Sequence, residues 1–231
     1  PAATVKCDFA KEVLKEAMRW EEEIFDLECE LSQHMVAGVD KYASGASEPT
    51  GLNLFNTANL FATPETRTDA DFLRVLEVVA HEYFHYWSGD RVTIREWFNL
   101  PFKEGLTTFR AAMFRERLFG TDLIRMLDGK NFDERAPRQN TYTNVRSLYT
   151  AAAYEKSADI FRMIMLFLGE KTFYQGMTQF LKSNDGGAVT LEDVLASLNK
   201  STRKDMSPFL NWFTEAGIPQ LMVTDEYEQR T

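Results

Sequence analysis

The stretch Val78-Val79-Ala80-His81-Glu82-Tyr83-Phe84-His85-Tyr86-Trp87-Ser88-Gly89 places two of the chain's three histidines four residues apart, with a glutamate directly after the first. Thr68-Asp69-Ala70-Asp71 offers capping side chains ahead of it, apolar residues then recur at helical spacing through Trp87, and Gly89 supplies a stop. The spacing therefore predicts a helix. On an α-helix each residue turns about 100°, so His81 and His85 project from one face and can grip a single metal ion. Glu82, offset only partly around the axis, stays unligated and can take a proton from water that the metal activates.

Two imidazoles leave a catalytic zinc one protein ligand short. Eighteen residues separate His85 from Glu104, which lies in Leu100-Pro101-Phe102-Lys103-Glu104-Gly105-Leu106-Thr107. Asn99-Leu100-Pro101 reads as the start of another helix, because proline suits a first turn. A two-helix hairpin would return Glu104 to the histidines and give a His2Glu centre with a fourth position open. Taken singly, a histidine pair on an apolar helix is an ordinary core feature, and a first-turn glutamate merely complements the helix dipole. The joint pattern carries the specificity. His34, with no ligand partner nearby in sequence, reads as structural.

The 231 residues include 44% hydrophobic and 26% charged side chains, the profile of a globular protein with a substantial core. A net charge of −9 without a block of Lys and Arg argues against nucleic acid as a partner. No apolar run approaches the roughly 18 residues that cross a bilayer, so no membrane association is expected. Cys7 and Cys29 cannot build a disulfide framework, and reduced thiols suit a cytoplasmic protein. The chain starts at Pro1 with neither an initiator Met nor a signal peptide, as expected of a processed or excised piece.

Periodicity predicts helices over 8–25, 68–87, 99–118, 122–132, 145–168, 172–182, 191–199 and 208–216, with strands over 30–39 and 52–55 and a strand-like run over 217–224. The class is α+β, mainly α, with a few strands early and a helical half after them. The only boundary falls near Gly217.

His81-Glu82-Tyr83-Phe84-His85, the gap to Glu104, Phe102-Lys103-Glu104-Gly105-Leu106-Thr107-Thr108-Phe109-Arg110 and Tyr149-Thr150-Ala151-Ala152-Ala153-Tyr154-Glu155-Lys156 together resemble the aminopeptidase N family of gluzincin zinc peptidases, its bacterial branch above all. Met18-Arg19-Trp20-Glu21-Glu22 and Gly51-Leu52-Asn53-Leu54-Phe55-Asn56 extend the likeness almost end to end.

The resemblance implies a thermolysin-like catalytic domain over 1–217 lacking its first strands, with 218–231 opening a following β-sandwich. It also implies one Zn2+ per chain and removal of the first residue from peptides with a free N-terminus. Tyr154, by itself a buried aromatic, takes the role of the hydroxyl that stabilises the oxyanion. Tyr149 either lines the substrate pocket or packs in the core. Gly45-Ala46-Ser47-Glu48, otherwise a plain loop, stands at the exopeptidase motif, where Glu48 would grip the substrate α-ammonium. Ser47 replaces the usual Met there and Pro49 the usual Asn, which alters the pocket for the first side chain. An N-terminal β domain and the β-sandwich become expected partners. Two alternatives remain at this level: a gluzincin endopeptidase or epoxide hydrolase, and a non-catalytic or incomplete zinc-binding fragment that needs an upstream domain.

Overall fold

The protein is described by a computed structural model covering residues 6–128 and 133–227. Helices predominate. In chain order they are α1 (Asp8–Phe25), α2 (Asp69–Phe84), α3 (Leu106–Phe119), α4 (Thr121–Asp128), α5 (Ser157–Leu168), α6 (Glu170–Ser183), α7 (Leu191–Thr202) and α8 (Phe209–Thr214). Strands β1 (Met35–Val39), β2 (Ala46–Ser47) and β3 (Leu52–Asn56) form a sheet of order β1-β3-β2, with β1 parallel and β2 antiparallel to β3. A second pairing, β4 (Thr93–Ile94) with β5 (Ala188–Val189), is parallel and was not expected.

Helix α2 starts where its capping residues demand. Thr68 Oγ1 accepts from Asp71 N at 3.3 Å, and Thr68 N donates to Asp71 Oδ2 at 2.9 Å, a reciprocal box that satisfies two free amides. Val75, Val79, Ala80, Tyr83 and Phe84 pack inward against α1 and α3. Trp20 of α1 lies 5.1 Å from Phe84 and 5.8 Å from Phe114 of α3, ring centre to ring centre, joining the three helices at one aromatic cluster.

The helix ends earlier than its apolar pattern. Phe84 is its last residue, and 85–92 fold into a wide turn in which Asp90 N, Arg91 N and Val92 N donate to the carbonyls of His85, Tyr86 and Trp87. Gly89 belongs to that turn at φ +145°, where a Cβ would come within 3.1 Å of both His85 Nδ1 and Lys103 Cε. Its absence of a side chain lets two site residues approach.

Two further predicted helices begin irregularly. Instead of running continuously over 99–118, the chain makes a 3-10 turn at Trp97–Asn99 and a π-turn at Pro101–Gly105 before α3. Residues 145–168 likewise break into a 3-10 turn at Val145–Leu148, a π-turn at Ala152–Lys156, and α5. The π-turns pack against each other so closely that a Cβ on Gly105 would sit 2.2 Å from Cβ of Ser157. Close approach, with no unusual φ, makes this glycine necessary.

At the sheet, β1 is shorter than 30–39, and Met35, Val36 and Val39 are exposed where half-burial was expected. The run 217–224 forms no strand, and Leu221, Met222 and Val223 are 87%, 95% and 84% exposed. These side chains find no surface to pack on among the described residues, so the backbone has no ladder to join. The predicted helix over 122–132 is seen as α4 to Asp128, residues 129–132 lying outside the described residues, as do 228–231.

Gly105→Ala is expected to cost about 1–3 kcal/mol through forced separation of the two π-turns. Ser157→Gly in the same chain should recover part of that loss, as read by denaturant unfolding.

Candidate functional site

The end of α2, the first π-turn and the β2 segment meet at a cleft of about 910 Å³. His81 and Glu82 come from the last helical turn of α2, and His85 caps it. Glu104 comes from the first π-turn, whose wider coil carries its carboxylate back toward the imidazoles. His81 Nε2 and His85 Nε2 are 2.9 Å apart, and Glu104 Oε2 lies 3.3 and 3.2 Å from them.

Those separations fit a metal. A tetrahedral zinc with bonds of about 2.0–2.1 Å has donor-to-donor edges of about 3.3 Å. The donor chemistry fits as well. His85 Nδ1 donates to the carbonyl of Ser88 at 2.9 Å, which fixes the tautomer and leaves Nε2 a lone pair for a cation. Thr107 Oγ1 touches the same Nδ1 at 3.2 Å and Ser88 Oγ at 2.7 Å. Arg110, fully buried and ion-paired with Glu21 of α1, donates to Phe84 O at 3.0 Å and Ser88 Oγ at 3.1 Å. The turn carrying His85 is thus pinned from α3, with α1 behind it through Glu21.

The electrostatics divide the triad: burial pushes the His81 imidazole down, whereas His85 goes the other way. Burial alone would push the His85 imidazole down, but the Glu104 carboxylate outweighs it and holds the group up at about 9. Burial opposes ionisation of Glu104 too, yet His85 and Lys103 hold its carboxyl well below the usual range. The negative charge of Glu104 at this point favours a cation between the imidazoles. Glu82 differs: burial dominates and raises it to about 8, the direction wanted in a group that takes and returns a proton.

Glu48 follows β2 at the cleft, with its carboxylate and that of Glu82 both within 4.8 Å of His85. Gly45 is anchored through its carbonyl, which accepts from Asn56 N and Asn59 Nδ2, each at 3.0 Å. Ala46 and Ser47 pair with Phe55 and Leu54 of β3, and Ser47 Oγ meets the Tyr42 hydroxyl at 2.5 Å. Pro49 starts the turn to β3, its carbonyl accepting from Leu52 N at 2.9 Å, and needs no amide of its own there. Tyr154, on the second π-turn, stacks over His81 at 6.1 Å and 22°. Tyr149 is 41% exposed and lines the cleft, so pocket lining wins over core packing.

Lys103 carried no assigned role in the sequence. Its Nζ ion-pairs with Glu48 and lies 2.8 Å from Glu104 Oε1, wedged between the two acids. The only available signal was a cation next to a candidate ligand. Ser88 and Thr107 gave none, since they meet only in three dimensions. His34 stands apart from the cleft, its ring edge-on to Tyr83 at 5.8 Å.

An acid beside three residues that could hold a cation, in an open cleft, is an arrangement in which a bound metal could activate water. A family model described as the Peptidase family M1 domain matches residues 9–213, and the chain belongs to that family. It is 37% identical to aminopeptidase N of Haemophilus influenzae, over 98% of this chain and 27% of that protein, and 37% identical to aminopeptidase N of Escherichia coli at the same coverages. A crystal structure of Legionella pneumophila aminopeptidase A in complex with aspartic acid is similar with a TM-score of 0.96 and 76% identity, over 99% of this chain and 27% of that one. The chain thus spans about a quarter of the length of these relatives.

Replacing Thr107 by Val should weaken Zn2+ binding by about 10- to 100-fold, because Nδ1 of His85 loses part of its support. His85→Ala should abolish stoichiometric binding. Competition with a chromogenic chelator reads both.

Proposed function

We propose that this chain is the zinc-binding catalytic domain, thermolysin-like in architecture, of an aminopeptidase that releases the first residue of peptides. The observation that carries the reading is the placement of the Glu48 and Glu82 carboxylates within 4.8 Å of one another and of His85, beside the His81-His85-Glu104 triad. One acid is positioned for an α-ammonium and the other for a proton. Zn2+ bound at the triad supplies Lewis-acid polarisation of the scissile carbonyl and acidifies water.

The side chains do the rest. Glu48 receives the substrate α-ammonium and so registers the first peptide bond at the triad. Glu82 accepts the proton of the attacking water and hands it to the leaving amine. Tyr154, whose hydroxyl burial pushes up and so keeps protonated, donates to the developing oxyanion. An endopeptidase has no free α-ammonium to place, so the half-buried Glu48 carboxylate favours the exopeptidase. The similar Legionella protein, an aminopeptidase A in complex with aspartic acid, supports an acidic first residue.

Two flanking modules complete the enzyme in this reading, an upstream β domain and a following β-sandwich. Its support is the quarter-length span and the exposed apolar side chains of β1 and of 221–223. That span also keeps the incomplete-fragment alternative in view. A cytoplasmic location rests on Cys7 and Cys29, both free thiols.

Glu82→Gln is expected to lower kcat on an aminoacyl p-nitroanilide by about 100- to 10,000-fold while zinc stoichiometry is kept. N-acetylation of the substrate should abolish turnover. Undiminished turnover in Glu82→Gln, or hydrolysis of the acetylated substrate, would falsify the mechanism. Zinc-loaded chain that gains activity only when joined to the flanking modules would identify it as an incomplete fragment.

A further inference from the structure

Among the described residues, the charges lining the cleft leave one cation without a partner. Of the three basic side chains there, Arg74 faces Glu77 at 3.6 Å, and Lys103 is held between Glu48 and Glu104. Arg146 makes no ion pair among the described residues and is exposed to the cleft. Its backbone is nonetheless fixed. Arg146 N donates to Asn144 Oδ1 at 2.9 Å, which caps the 3-10 turn Val145–Leu148, and its carbonyl accepts from Tyr149 N at 3.3 Å. Tyr149 lies 6.4 Å from Tyr154, ring centre to ring centre, and Tyr154 covers His81. The turn bearing Arg146 therefore flanks the reacting centre.

Ser44 and Ser47 line the same cleft with short hydroxyls, leaving room for a polar side chain. A guanidinium is a planar fork that matches a carboxylate with two parallel hydrogen bonds. With Lys103 held between two glutamates and Arg74 facing Glu77, Arg146 is the one Lys or Arg lining the cleft that makes no ion pair among the described residues. Resting on the aminopeptidase reading above, we propose that Arg146 is a specificity-determining residue that receives the side-chain carboxylate of an aspartate or glutamate at the substrate's first position. A first lysine or arginine meets like charge at the same place and is disfavoured. An apolar first side chain makes no use of Arg146.

The test compares p-nitroanilides of Asp, Glu, Asn and Ala on the zinc-loaded protein, with inhibition by free L-aspartate and L-asparagine as a second readout. Arg146→Ala should lower kcat/KM for Asp and Glu about 10- to 100-fold and leave Ala within about threefold. Arg146→Lys should fall between, and aspartate should lose its advantage over asparagine as inhibitor. An equal loss on Ala and Asp, or an acid preference untouched by Arg146→Ala, would overturn the assignment alone. Hydrolysis of none of the four by the wild-type chain, alone or joined to its flanking modules, would overturn the aminopeptidase reading and the assignment with it.

Discussion

The site depends on the buried hydrogen bonds that hold the end of α2. Arg110 reaches from α3 to the Phe84 carbonyl and Ser88 hydroxyl, its guanidinium lies between the rings of Phe25 and Phe84, and Glu21 of α1 balances its charge. A buried ion pair contributes little net stability, since desolvation offsets the attraction. Its contribution here is position: the carbonyl of the last helical residue and the turn after it have one arrangement. Ser88 then presents its carbonyl to His85 Nδ1, and Thr107 closes the group. A side chain that is to hold a metal has to be oriented before the metal arrives, and this cluster orients the candidate ligand His85 from α3, with α1 behind it.

Charge in the cleft is organised around the same point. Five glutamates and two histidines line it, and Lys103 sits among them, half-buried, with an ammonium held charged by Glu104 and Glu48. Lys103 keeps two carboxylates close together without a ligand. Glu104 is shared, one oxygen toward the imidazoles and the other toward Lys103. Glu48 is held half-buried and ionised by the same ammonium.

The paired π-turns explain how residues far apart in sequence reach one place. Each replaces the first turn of a helix, and each carries a site residue, Glu104 in one and Tyr154 in the other. Periodicity reads both segments as plain helix, because one extra residue in a coil does not disturb an apolar pattern enough to show. Gly105 is the trace that the sequence does carry, and its reason, contact with Ser157, is visible only when the turns meet.

From the residues alone came the helix with its Thr68 cap, the two histidines on one face, Glu82 between them and the acid needed to complete the set. Local spacing and capping decide these things, and they act over a few residues. The family resemblance placed Tyr154, Tyr149 and Glu48. The tertiary structure alone decided the early end of α2, the wedge of Lys103, the Ser88-Thr107-Arg110 support and the charge of Arg146, unpaired among the described residues. Each of these depends on groups brought together from distant segments, and a buried or unpaired charge is defined by its surroundings, which no local pattern records.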